Sequence, residues 1–464
     1  MHQYKLNNYN IVLDVFSGAI HSVDELAYDI ISLFEVCSEG EIIRRMQEKY
    51  SATPDITLKE ISDCIADIRE LKNTGQLFTP DKIEGEALVF EAENRPIKAL
   101  CLHLAHTCNL SCGYCFASQG KYRGDSAPLM SFDVGKRALD FLLENSGGRT
   151  NLEVDFFGGE PLMNWDVCKR LVAYARSREK DTGKRFRFTL TTNGLLIDDD
   201  VIEFSNREIE NVVLSLDGRR DVHNKYRKTE SGQGSYDLVV PKFQDFIKAR
   251  AEGEKKEYYM RGTYTRFNAD FALDILHMVD LGFKQLSIEP VVCPPGELYA
   301  LRSDDLPQLF EQYENLAKEM ISRNKRGEGF VFYHYMIDLE RGPCVHKRVL
   351  GCGVGTEYLA VTPSGELFPC HQFVGLEAFS MGNLWDGVTN KALRRGFGRC
   401  SAYTKKACRD CWAKLYCAGG CAANAFHASS DINGVCEYEC ELFKKRIECA
   451  IMIKTAGLGC ELRV

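Results

Sequence analysis

The sequence lacks the features that would direct a protein into a membrane, out of the cell or onto nucleic acid. It has no apolar run long enough to cross a bilayer, and its polar first residues, MHQYKLNNYN, do not resemble a secretory signal. It has no basic tract, and its net charge of −8 disfavours nucleic acid and acidic membrane surfaces as partners. We therefore expect a cytoplasmic protein of ordinary globular composition with, at 464 residues, two or three domains.

Cysteine, in contrast, is abundant, with twenty residues in the chain. A disulfide framework is not expected in a reducing cytoplasm. Four cysteines stand apart and are expected to be small buried hydrophobic residues: Cys37, Cys64, Cys168 and Cys293. The others fall into two clusters, at residues 101–115 and from Cys344 onward. Thiolates are soft ligands that suit zinc and iron–sulfur clusters, so the two groups of cysteines predict metal sites.

Residues 1–80 are predicted to form a small α/β domain that resembles a winged helix. Two strands flank Ser17-Gly18, a two-residue hairpin signal, and three short helices follow. The S-x-x-E pattern of a capping box marks the start of the first and third helix: Ser22 with Glu25, and Thr57 with Glu60. A polar linker, residues 81–96, connects this domain to the rest of the chain.

Residues 97–325 alternate between predicted strands and predicted helices. The six strand candidates are ALCLHLA, LEVDFF, RFRFTLT, NVVLSL, YYMRGTYT and KQLSIEPV. Six such units predict an α/β fold in which a parallel sheet curls into a partial (β/α)6 TIM-like barrel. In such barrels the chemistry lies beyond the carboxyl ends of the strands. Unusual short motifs lie at those ends: the first cysteine cluster, GGEP at 158–161, TNG with Asn193, and Ser215 followed by DG.

Cys108, Cys112 and Cys115 form the pattern C-x3-C-x2-C directly after the first of these strands. A closed structural zinc site needs four ligands, and no fourth cysteine is adjacent. His103 and His106 could complete a zinc site, which is the alternative. The functional interpretation is a four-iron cluster held by three thiolates, in which one iron stays open for an exogenous ligand.

The three-cysteine motif on the loop after the first barrel strand, with Tyr114 before its last cysteine, resembles the radical S-adenosylmethionine (SAM) enzymes. In that superfamily the open iron binds the amino and carboxylate groups of SAM, which is cleaved reductively to a 5′-deoxyadenosyl radical. The resemblance implies that the cofactor does the chemistry, and no catalytic side chain is assigned. It also implies the SAM-binding residues: Gly158, Gly159 and Glu160 at the methionine amine, Ser215 and Arg227 at the ribose and carboxylate, Tyr114 and Ile288 beside the adenine, and Asn193 on the same rim.

The second cysteine cluster, in residues 326–464, resembles the SPASM extension of radical SAM enzymes, which holds two auxiliary four-iron clusters. Its patterns are C-x12-G-x4-C, from Cys352 to Cys370, and C-x2-C-x5-C-x3-C, from Cys408 to Cys421. By this resemblance Cys352, Cys370 and Cys421 serve the first auxiliary cluster, and Cys408, Cys411, Cys417 and Cys440 serve the second. Cys440 is favoured over Cys436 because the family's closing cysteine introduces the last helix. A pair of zinc knuckles is the alternative to both clusters.

Cys344, eight residues before Cys352, is a candidate fourth ligand of the first auxiliary cluster. We expect it to reach the iron and to yield to the thiolate of a substrate cysteine. Iron would lower the pKa of that thiol and hold its sulfur in place. The alternative is a turn with an incidental thiol.

Most of the chain resembles one subgroup, the maturases of the "six cysteines in forty-five" (SCIFF) peptides. The stretches that carry this resemblance are YKLNNYNIVLDVFSGAIHSVDELAYDI, VFYHYMIDLERGPC, GCGVGTEYLAVTPSGELFPCHQF and INGVCEYECELFKKRIECAIMIK. These enzymes install thioether crosslinks, which join a cysteine sulfur to a carbon of another residue in a ribosomally made peptide. The resemblance implies three [4Fe-4S] clusters, SAM, a Cys-rich precursor peptide whose leader binds residues 1–80, and an electron donor such as flavodoxin or ferredoxin.

Two other functions are open at this point. The first is a formylglycine-forming sulfatase maturase, which also carries a SPASM extension. Those enzymes begin almost directly with the barrel, whereas residues 1–96 precede it here, and they place an aspartate where this chain has His371. The second is a non-catalytic, metal-stabilised peptide-binding protein, which the full set of rim motifs disfavours.

Overall fold

The computed structural model describes residues 1–84, 95–122, 128–251, 256–294, 296–337, 339 and 345–457. Cys344 lies outside these residues, so its role at the first auxiliary cluster stays a prediction. None of the helices in the described ranges has the length and apolar character that a membrane span requires. The described strands form two sheets, one of three strands and one of eleven.

The N-terminal unit, which we define as residues 1–84, is a three-stranded antiparallel sheet packed against three helices. Its strands are β1 (His2–Leu6), β2 (Tyr9–Leu13) and β3 (Ile20–Val23), and its helices are α1 (Glu25–Leu33), α2 (Glu39–Lys49) and α3 (Leu58–Asn73). Val12, Ile30 and Ile61 are fully buried where the sheet and the helices meet. The three predicted helices are therefore confirmed.

The turns of this sheet differ from the prediction. Strands β2 and β3 do flank Ser17-Gly18, but their connection runs from Asp14 to Ala19 and is not a two-residue turn. The two-residue turn lies at Asn7-Asn8, which joins β2 to β1, a strand that the sequence analysis missed. Both asparagines have positive φ, 48° and 65°, as a tight hairpin requires at its central residues.

One of the two predicted helix caps is confirmed. Thr57 caps α3, and its hydroxyl accepts a hydrogen bond from the amide of Glu60. The cap predicted at Ser22 is wrong, because α1 begins later and Asp24 accepts the bond from the amide of Ala27. A carboxylate at this position also interacts favourably with the positive end of the helix dipole.

The eleven-stranded sheet is mostly parallel. Its strands are β4 (Ala99–Ala105), β5 (Asn151–Gly158), β6 (Arg185–Thr192), β7 (Asn211–Ser215), β8 (Glu257–Tyr264), β9 (Gln285–Pro290), β10 (Val331–Phe332), β11 (Tyr358–Val361), β12 (Glu366–Phe368), β13 (Gly382–Asn383) and β14 (Gly387–Val388). Their order is β10-β9-β8-β7-β6-β5-β4-β11-β12-β13-β14. Neighbours from β10 to β11 are parallel, and the pairs from β11 to β14 are antiparallel.

All six predicted parallel strands are confirmed as β4 to β9. Two further parallel strands were not predicted: β10, which has only two residues, and β11, which joins the C-terminal region to the sheet beside β4. Both follow residue 325, so the sheet continues across the predicted domain boundary. The domain boundaries themselves stay predictions.

Helices follow the strands and cover one face of the sheet. In the barrel they are α4 (Phe132–Asn145), α5 (Trp165–Thr182), α6 (Asp199–Glu208), α7 (Arg220–Tyr226), α8 (Tyr236–Ala251), α9 (Phe271–Asp280) and α10 (Leu306–Lys325). The C-terminal region adds α11 (Val345–Leu350), α12 (Lys391–Arg399), α13 (Lys414–Cys417), α14 (Ala422–Ser429) and α15 (Glu437–Gly457).

Strand β5 shows how the two faces of the parallel sheet differ. Leu152, Val154 and Phe156 are fully buried in the core that the sheet forms with its helices. Glu153 and Asp155 alternate with them, so they point to the opposite, inner face. The inner face is therefore polar where the helix-covered face is apolar. Of the isolated cysteines, Cys168 is fully buried in this core, whereas the remaining three are half-buried: Cys37, Cys64 and Cys293.

The N-terminal unit packs against the C-terminal region. The ring of His2 stacks on Trp412 with 3.7 Å between centroids, and its Nε2 lies 3.0 Å from a carboxylate oxygen of Glu448. The hydroxyl of Tyr4 donates a hydrogen bond to the carbonyl oxygen of Glu448 at 3.0 Å. Four residues of β1 and β2 belong to the same hydrophobic core as the barrel: Tyr4, Leu6, Ile11 and Leu13.

Candidate active site

A cavity of about 260 Å³, which we call the outer cavity, opens at the carboxyl ends of the parallel strands, where the sequence analysis expects the chemistry. Ten of the predicted site residues line it: Cys108, Cys112, Tyr114, Cys115, Gly158, Gly159, Glu160, Asn193, Ser215 and Arg227. They come from the last residues of β5 and β7 and from the segments that follow β4, β5, β6 and β7, which are far apart in the sequence. The fold therefore brings the predicted motifs to one place.

Hydrogen-bond donors surround the thiols of the loop that follows β4. The amide of Leu110 donates to Cys108 Sγ at 3.5 Å, and the amide of Gln119 donates to Cys115 Sγ at 3.3 Å. Nδ2 of Asn193 lies 3.6 Å from Cys108 Sγ. Donors of this kind stabilise the thiolate form, which is the form that binds metal.

The donor set fits an iron–sulfur cluster. Burial raises the pKa of the Cys108 thiol to about 12 and that of Cys112 to about 11, and a bound metal would reverse this effect. His103 and His106, the alternative zinc ligands, instead face each other with 3.1 Å between Nδ1 and Nε2, and His103 is fully buried. In the part of the chain that the structure describes, no three His, Cys, Asp or Glu side chains are arranged to hold a single metal ion.

The glycines of the GGEP motif permit a close approach between two loops. Gly158 has a φ of +128°, and a Cβ on it would lie 2.4 Å from the carbonyl oxygen of Ala105. A Cβ on Gly159 would lie 2.0 Å from the carbonyl oxygen of Thr107. The amide of Gly159 donates to the Ala105 carbonyl at 2.8 Å, and that of Glu160 donates to the Thr107 carbonyl at 2.9 Å. Only glycine allows these bonds to hold the cysteine loop this close.

Glu160 is a buried carboxylate in the wall of the outer cavity. One oxygen accepts hydrogen bonds from the hydroxyl of Thr192 at 2.8 Å and the amide of Leu162 at 3.1 Å, and the other accepts from the amide of Asn193 at 2.8 Å. Burial raises the pKa of Glu160 to about 7, because these three neutral donors offset only part of the desolvation. A cationic ligand beside this carboxylate would therefore be bound favourably.

Asp217 organises the opposite wall, although the sequence analysis gave it no role. It is fully buried, and it accepts hydrogen bonds from the Tyr114 hydroxyl at 2.5 Å and the Thr263 amide at 2.9 Å. Two nitrogens of Arg227 donate to its two oxygens at 2.9 and 3.0 Å. The DG dipeptide after a strand was the signal in the sequence, but only the fold shows which groups this carboxylate binds.

Ile288 is the predicted SAM-binding residue that is absent from the described lining of the outer cavity. It is fully buried in β9, whereas Glu289 and Val291 line the cavity. Alternation along the strand places Ile288 on the other face from Glu289. Its contact with an adenine stays a prediction.

A second cavity, of about 560 Å³, lies in the C-terminal region. It is lined by the four thiols assigned to the second auxiliary cluster: Cys408, Cys411, Cys417 and Cys440. Burial, and then the charges of the other three thiols, raise the pKa of Cys417 to about 12. Cys436 is not among the lining residues, but α15 begins at Glu437, directly after Cys436 and not at Cys440 as expected, so the choice of Cys440 stays a prediction.

The three cysteines assigned to the first auxiliary cluster also lie near one another. Burial, and then the charges of Cys421 and Cys352, raise the pKa of Cys370 above its usual range. Cys400, which was not predicted as a ligand, lines a small cavity together with Cys352. Its thiol donates a hydrogen bond to the carbonyl oxygen of Ile432 at 3.2 Å, which favours a structural role.

A cavity of about 420 Å³, which we call the inner cavity, lies on the inner face of the curved sheet. It shares Phe157, Thr191, Arg261, Glu289 and His371 with the outer cavity, so the two spaces are continuous. The sequence analysis missed it. The signal was the alternation of polar and apolar residues along β5 and β6, which is unusual for strands of a helix-covered parallel sheet.

The barrel region is similar in sequence to known proteins. Residues 102–249 match the family model of the Radical SAM superfamily. The cysteine-type anaerobic sulfatase-maturating enzyme of Clostridium perfringens (strain 13 / Type A) is 26% identical over 376 residues, which are 76% of this chain and 96% of that enzyme. The radical SAM cyclopropyl synthase TigE of Paramaledivibacter caminithermalis is 23% identical over 378 residues, which are 75% of this chain and 72% of TigE.

Two solved structures share the fold. Native anSMEcpe with bound AdoMet and Kp18Cys peptide matches with a TM-score of 0.64 at 22% identity, over 78% of this chain and 100% of that chain. Streptococcus suis SuiB bound to precursor peptide SuiA matches with a TM-score of 0.51 at 17% identity, over 90% of this chain and 93% of that chain. The predicted α/β fold with its partial barrel is thereby confirmed.

Proposed function

We propose, from the radical SAM domain that this chain carries and from its relation to the anaerobic sulfatase-maturating enzymes, that it is a maturase that installs thioether crosslinks in a Cys-rich precursor peptide. The observation that carries the proposal is the N-terminal unit in front of the barrel. The structural alignment with anSMEcpe covers all of the anSMEcpe chain but leaves about a fifth of the present chain unaligned. The alignment with SuiB covers 90% of the present chain. The SuiB structure contains the precursor peptide SuiA.

In this proposal Cys108, Cys112 and Cys115 hold a [4Fe-4S] cluster, and the outer cavity binds SAM. When bound, the cluster and SAM supply a 5′-deoxyadenosyl radical that removes a hydrogen atom from the acceptor residue. Glu160 offers a buried negative charge to the amino group of SAM. Asp217 holds Tyr114 and Arg227 in fixed positions, so that one can flank the adenine and the other can bind the carboxylate.

Two auxiliary [4Fe-4S] clusters complete the proposed cofactor set. The ligands of the first are Cys352, Cys370 and Cys421, and those of the second are Cys408, Cys411, Cys417 and Cys440. The cavity that the four thiols of the second set line together supports that site, and the effect of Cys421 and Cys352 on the pKa of Cys370 supports the first. Thioether formation releases one electron per crosslink, so an enzyme with this function needs an electron acceptor beside its substrate. Flavodoxin or ferredoxin is the proposed external donor for SAM cleavage.

The N-terminal unit is the proposed binding site for the leader of the precursor peptide. Its sheet has two edges, and α15 and Trp412 contact β1 at one of them. Strand β3 forms the other edge and pairs with β2 on one side. An edge strand can accept an extended peptide as an additional strand. Binding there would raise the concentration of the reacting segment near the barrel.

A formylglycine-forming activity on sulfatases is the second candidate. It is favoured by the similarity to the Clostridium perfringens enzyme, which extends over 96% of that enzyme. The aspartate expected in that class after the cysteine at position 370 is replaced here by His371, which lines both cavities. The N-terminal unit also has no place in that activity.

The two candidates are separated by mass spectrometry of peptides after anaerobic reaction with SAM and a reductant. One substrate is a Cys-rich precursor peptide of the SCIFF class with its leader, and the other is a sulfatase-derived peptide. Thioether formation removes two hydrogen atoms and one alkylatable thiol for each crosslink, whereas formylglycine formation replaces a thiol with an aldehyde. Replacement of Cys108, Cys112 and Cys115 by alanine is the control that abolishes both. Formylglycine in the sulfatase peptide, with an unchanged Cys-rich peptide, would contradict the proposal.

A further inference from the structure

The inner cavity contains a row of polar side chains that the proposed SAM site does not use. Cys101 on β4 lies in register with Asp155 on β5, Asp155 with Thr189 on β6, and Thr189 with Asn211 on β7. All four line the inner cavity. Side chains in register on one face of neighbouring strands are spatial neighbours, so this row is a continuous polar strip.

The two carboxylates that line the inner cavity have opposite surroundings. Glu289 lies 3.2 Å from His334 Nε2 and 3.8 Å from Arg261 Nη2. Burial acts to raise the pKa of Glu289, but its contacts with His334 and Arg261 hold it well below its usual range. Among the described residues, hydroxyl groups of Thr189 and Tyr358 are the donors to Asp155, and burial raises its pKa to about 7. Asp155 is therefore the carboxyl group of this cavity that can take up a proton near neutral pH.

Two buried polar atoms in the same cavity have no hydrogen-bond partner within the described ranges. They are Oδ1 of Asn211 and Nδ1 of His371. A buried polar atom without a partner indicates a ligand or water that binds there. These atoms lie on different elements of the cavity wall, so a bound peptide could bond to both sides at once.

We infer that the inner cavity receives the reacting cysteine of the substrate peptide and that Asp155 accepts the proton of its thiol. This inference rests on the proposed function, and it is an alternative to ionisation of the same thiol by the iron of the first auxiliary cluster. In the balanced reaction, the acceptor carbon loses a hydrogen atom to the radical that SAM supplies, and the thiol loses its proton to Asp155. The carbon–sulfur bond then forms, and the one electron left over passes to an iron–sulfur acceptor. The thiolate is the nucleophilic form of cysteine, so a base beside it promotes the bond-forming step.

Several charged and titratable groups lie on the strands beside Asp155 or line the same cavity. They are Glu153 on the same strand, Cys101 on β4, Arg187 on β6, Tyr358 on β11 and, across the cavity, Tyr259, Arg261, Glu289, Tyr333 and His371. Glu153 adds to the effect of burial, because a second negative charge nearby disfavours the ionised form of Asp155.

The test compares the reconstituted enzyme with its Asp155→Asn variant on a Cys-rich precursor peptide of the SCIFF class with its leader. The quantity measured is the number of crosslinks formed per deoxyadenosine released, as a function of pH. For the native enzyme we expect a rise with pH through about 7, because only the ionised carboxylate accepts a proton. For Asp155→Asn we expect a loss of about 100-fold at neutral pH and a recovery near the thiol pKa of about 8.5, where the cysteine ionises unaided.

Two variants complete the test. Glu153→Gln removes a carboxyl from the same strand and face as Asp155 but outside the inner cavity, so this variant should still form crosslinks. The rise of its crosslink yield per deoxyadenosine should move to lower pH. Thr189→Val keeps the Asp155 carboxyl and removes a hydrogen-bond donor to it. The rise of the crosslink yield with pH should therefore move to higher pH in this variant. This variant decides the question if Asp155→Asn does not fold.

Two outcomes would be negative, and they differ. If Thr189→Val, and any folded Asp155→Asn, have the ratio and pH profile of the native enzyme, Asp155 is not the proton acceptor. If the native enzyme cleaves SAM but forms no crosslink in the Cys-rich peptide, the result contradicts the proposed function and, with it, this inference.

Discussion

At the scale of single residues, buried charges hold the outer cavity together. In the ion pair of Arg227 with Asp217, only 12% and 0% of the two side chains are exposed. In the ion pair of Arg220, at the start of α7, with Asp237, at the start of α8, 62% and 57% of the two side chains are exposed. Removal of one partner of a buried pair leaves an uncompensated charge, whereas an exposed pair contributes little to stability.

We therefore expect Asp217→Asn to lower the free energy of unfolding by about 3–5 kcal/mol. It should also weaken SAM binding, because Tyr114 and Arg227 would lose their common acceptor. Denaturation by urea measures the first effect, and equilibrium binding of SAM to the reconstituted protein measures the second. Asp237→Asn is the matched control and should change stability by less than about 1 kcal/mol. Equal effects of the two substitutions would contradict the role given to Asp217.

The residues of the site differ in how far the sequence alone could reveal them. The cysteines and Glu160 belong to short motifs with fixed spacing, which can be recognised locally, whereas Arg227 was assigned only through the resemblance to a known family. Asp155 and Thr189 do not, because their partnership depends on strand register, which no local pattern records. Asp217 was visible as part of a motif, but its buried bonds to Tyr114 and Arg227 depend on tertiary structure.

At the scale of elements, the contact between the GGEP loop and the cysteine loop depends on the absence of a side chain. We expect Gly159→Ala to displace the cysteine loop, because its Cβ would lie 2.0 Å from the Thr107 carbonyl oxygen. The protein should then lose about four irons per chain and most of its SAM cleavage. Iron analysis and deoxyadenosine assays measure both. Gly148→Ala, whose Cβ would meet nothing within 4 Å, should retain the full iron content. A Gly159→Ala protein with full iron content would show that the loop tolerates this contact.

Strand prediction succeeded where hydrophobic runs were long and failed where they were short. The six strands β4 to β9 were all found, because each has five or more residues and most are apolar on the helix-covered face. Strand β10 has two residues, which no periodicity analysis can detect. Strand β1 was missed because Asn7-Asn8 was not recognised as the turn and Ser17-Gly18 was chosen instead. The position of each strand in the sheet then followed from the order of the β–α units.

At the scale of the whole molecule, the N-terminal unit cannot be removed without damage to the rest. Leu6, Ile11 and Leu13 are buried in the same core as the barrel, so a deletion of residues 1–80 would expose apolar surface on both parts. Loss of crosslinking in such a deletion would therefore not separate peptide recognition from misfolding. The leader-binding proposal needs a test on the intact chain.

We expect the isolated leader peptide to slow amide hydrogen exchange in β3 (residues 20–23) and to leave exchange in β4 to β9 unchanged, because an added strand protects the edge that it pairs with. The same peptide should inhibit crosslinking of the precursor by competition, with little effect on the slow cleavage of SAM alone. Mass spectrometry of exchanged, proteolysed protein measures the protection. Protection confined to the barrel would place the leader elsewhere.

The contact of His2 and Tyr4 with Glu448 has a consequence for how the protein is made. The partners are 446 and 444 residues apart, so the ribosome must synthesise almost the entire described chain before these bonds can form. Tyr4 and Leu6, in the first strand to be synthesised, cannot pack into their final hydrophobic core until the barrel and the cysteine-rich region have also been synthesised. Strand β1 can pair with β2 early, but His2 and Tyr4 also need partners from the region that carries the proposed auxiliary clusters, so the final seating of the N-terminal unit is a late event in biogenesis. A nascent chain that stalls before residue 448 cannot seat its first strand, and this incomplete product is the one that chaperones and proteases would meet.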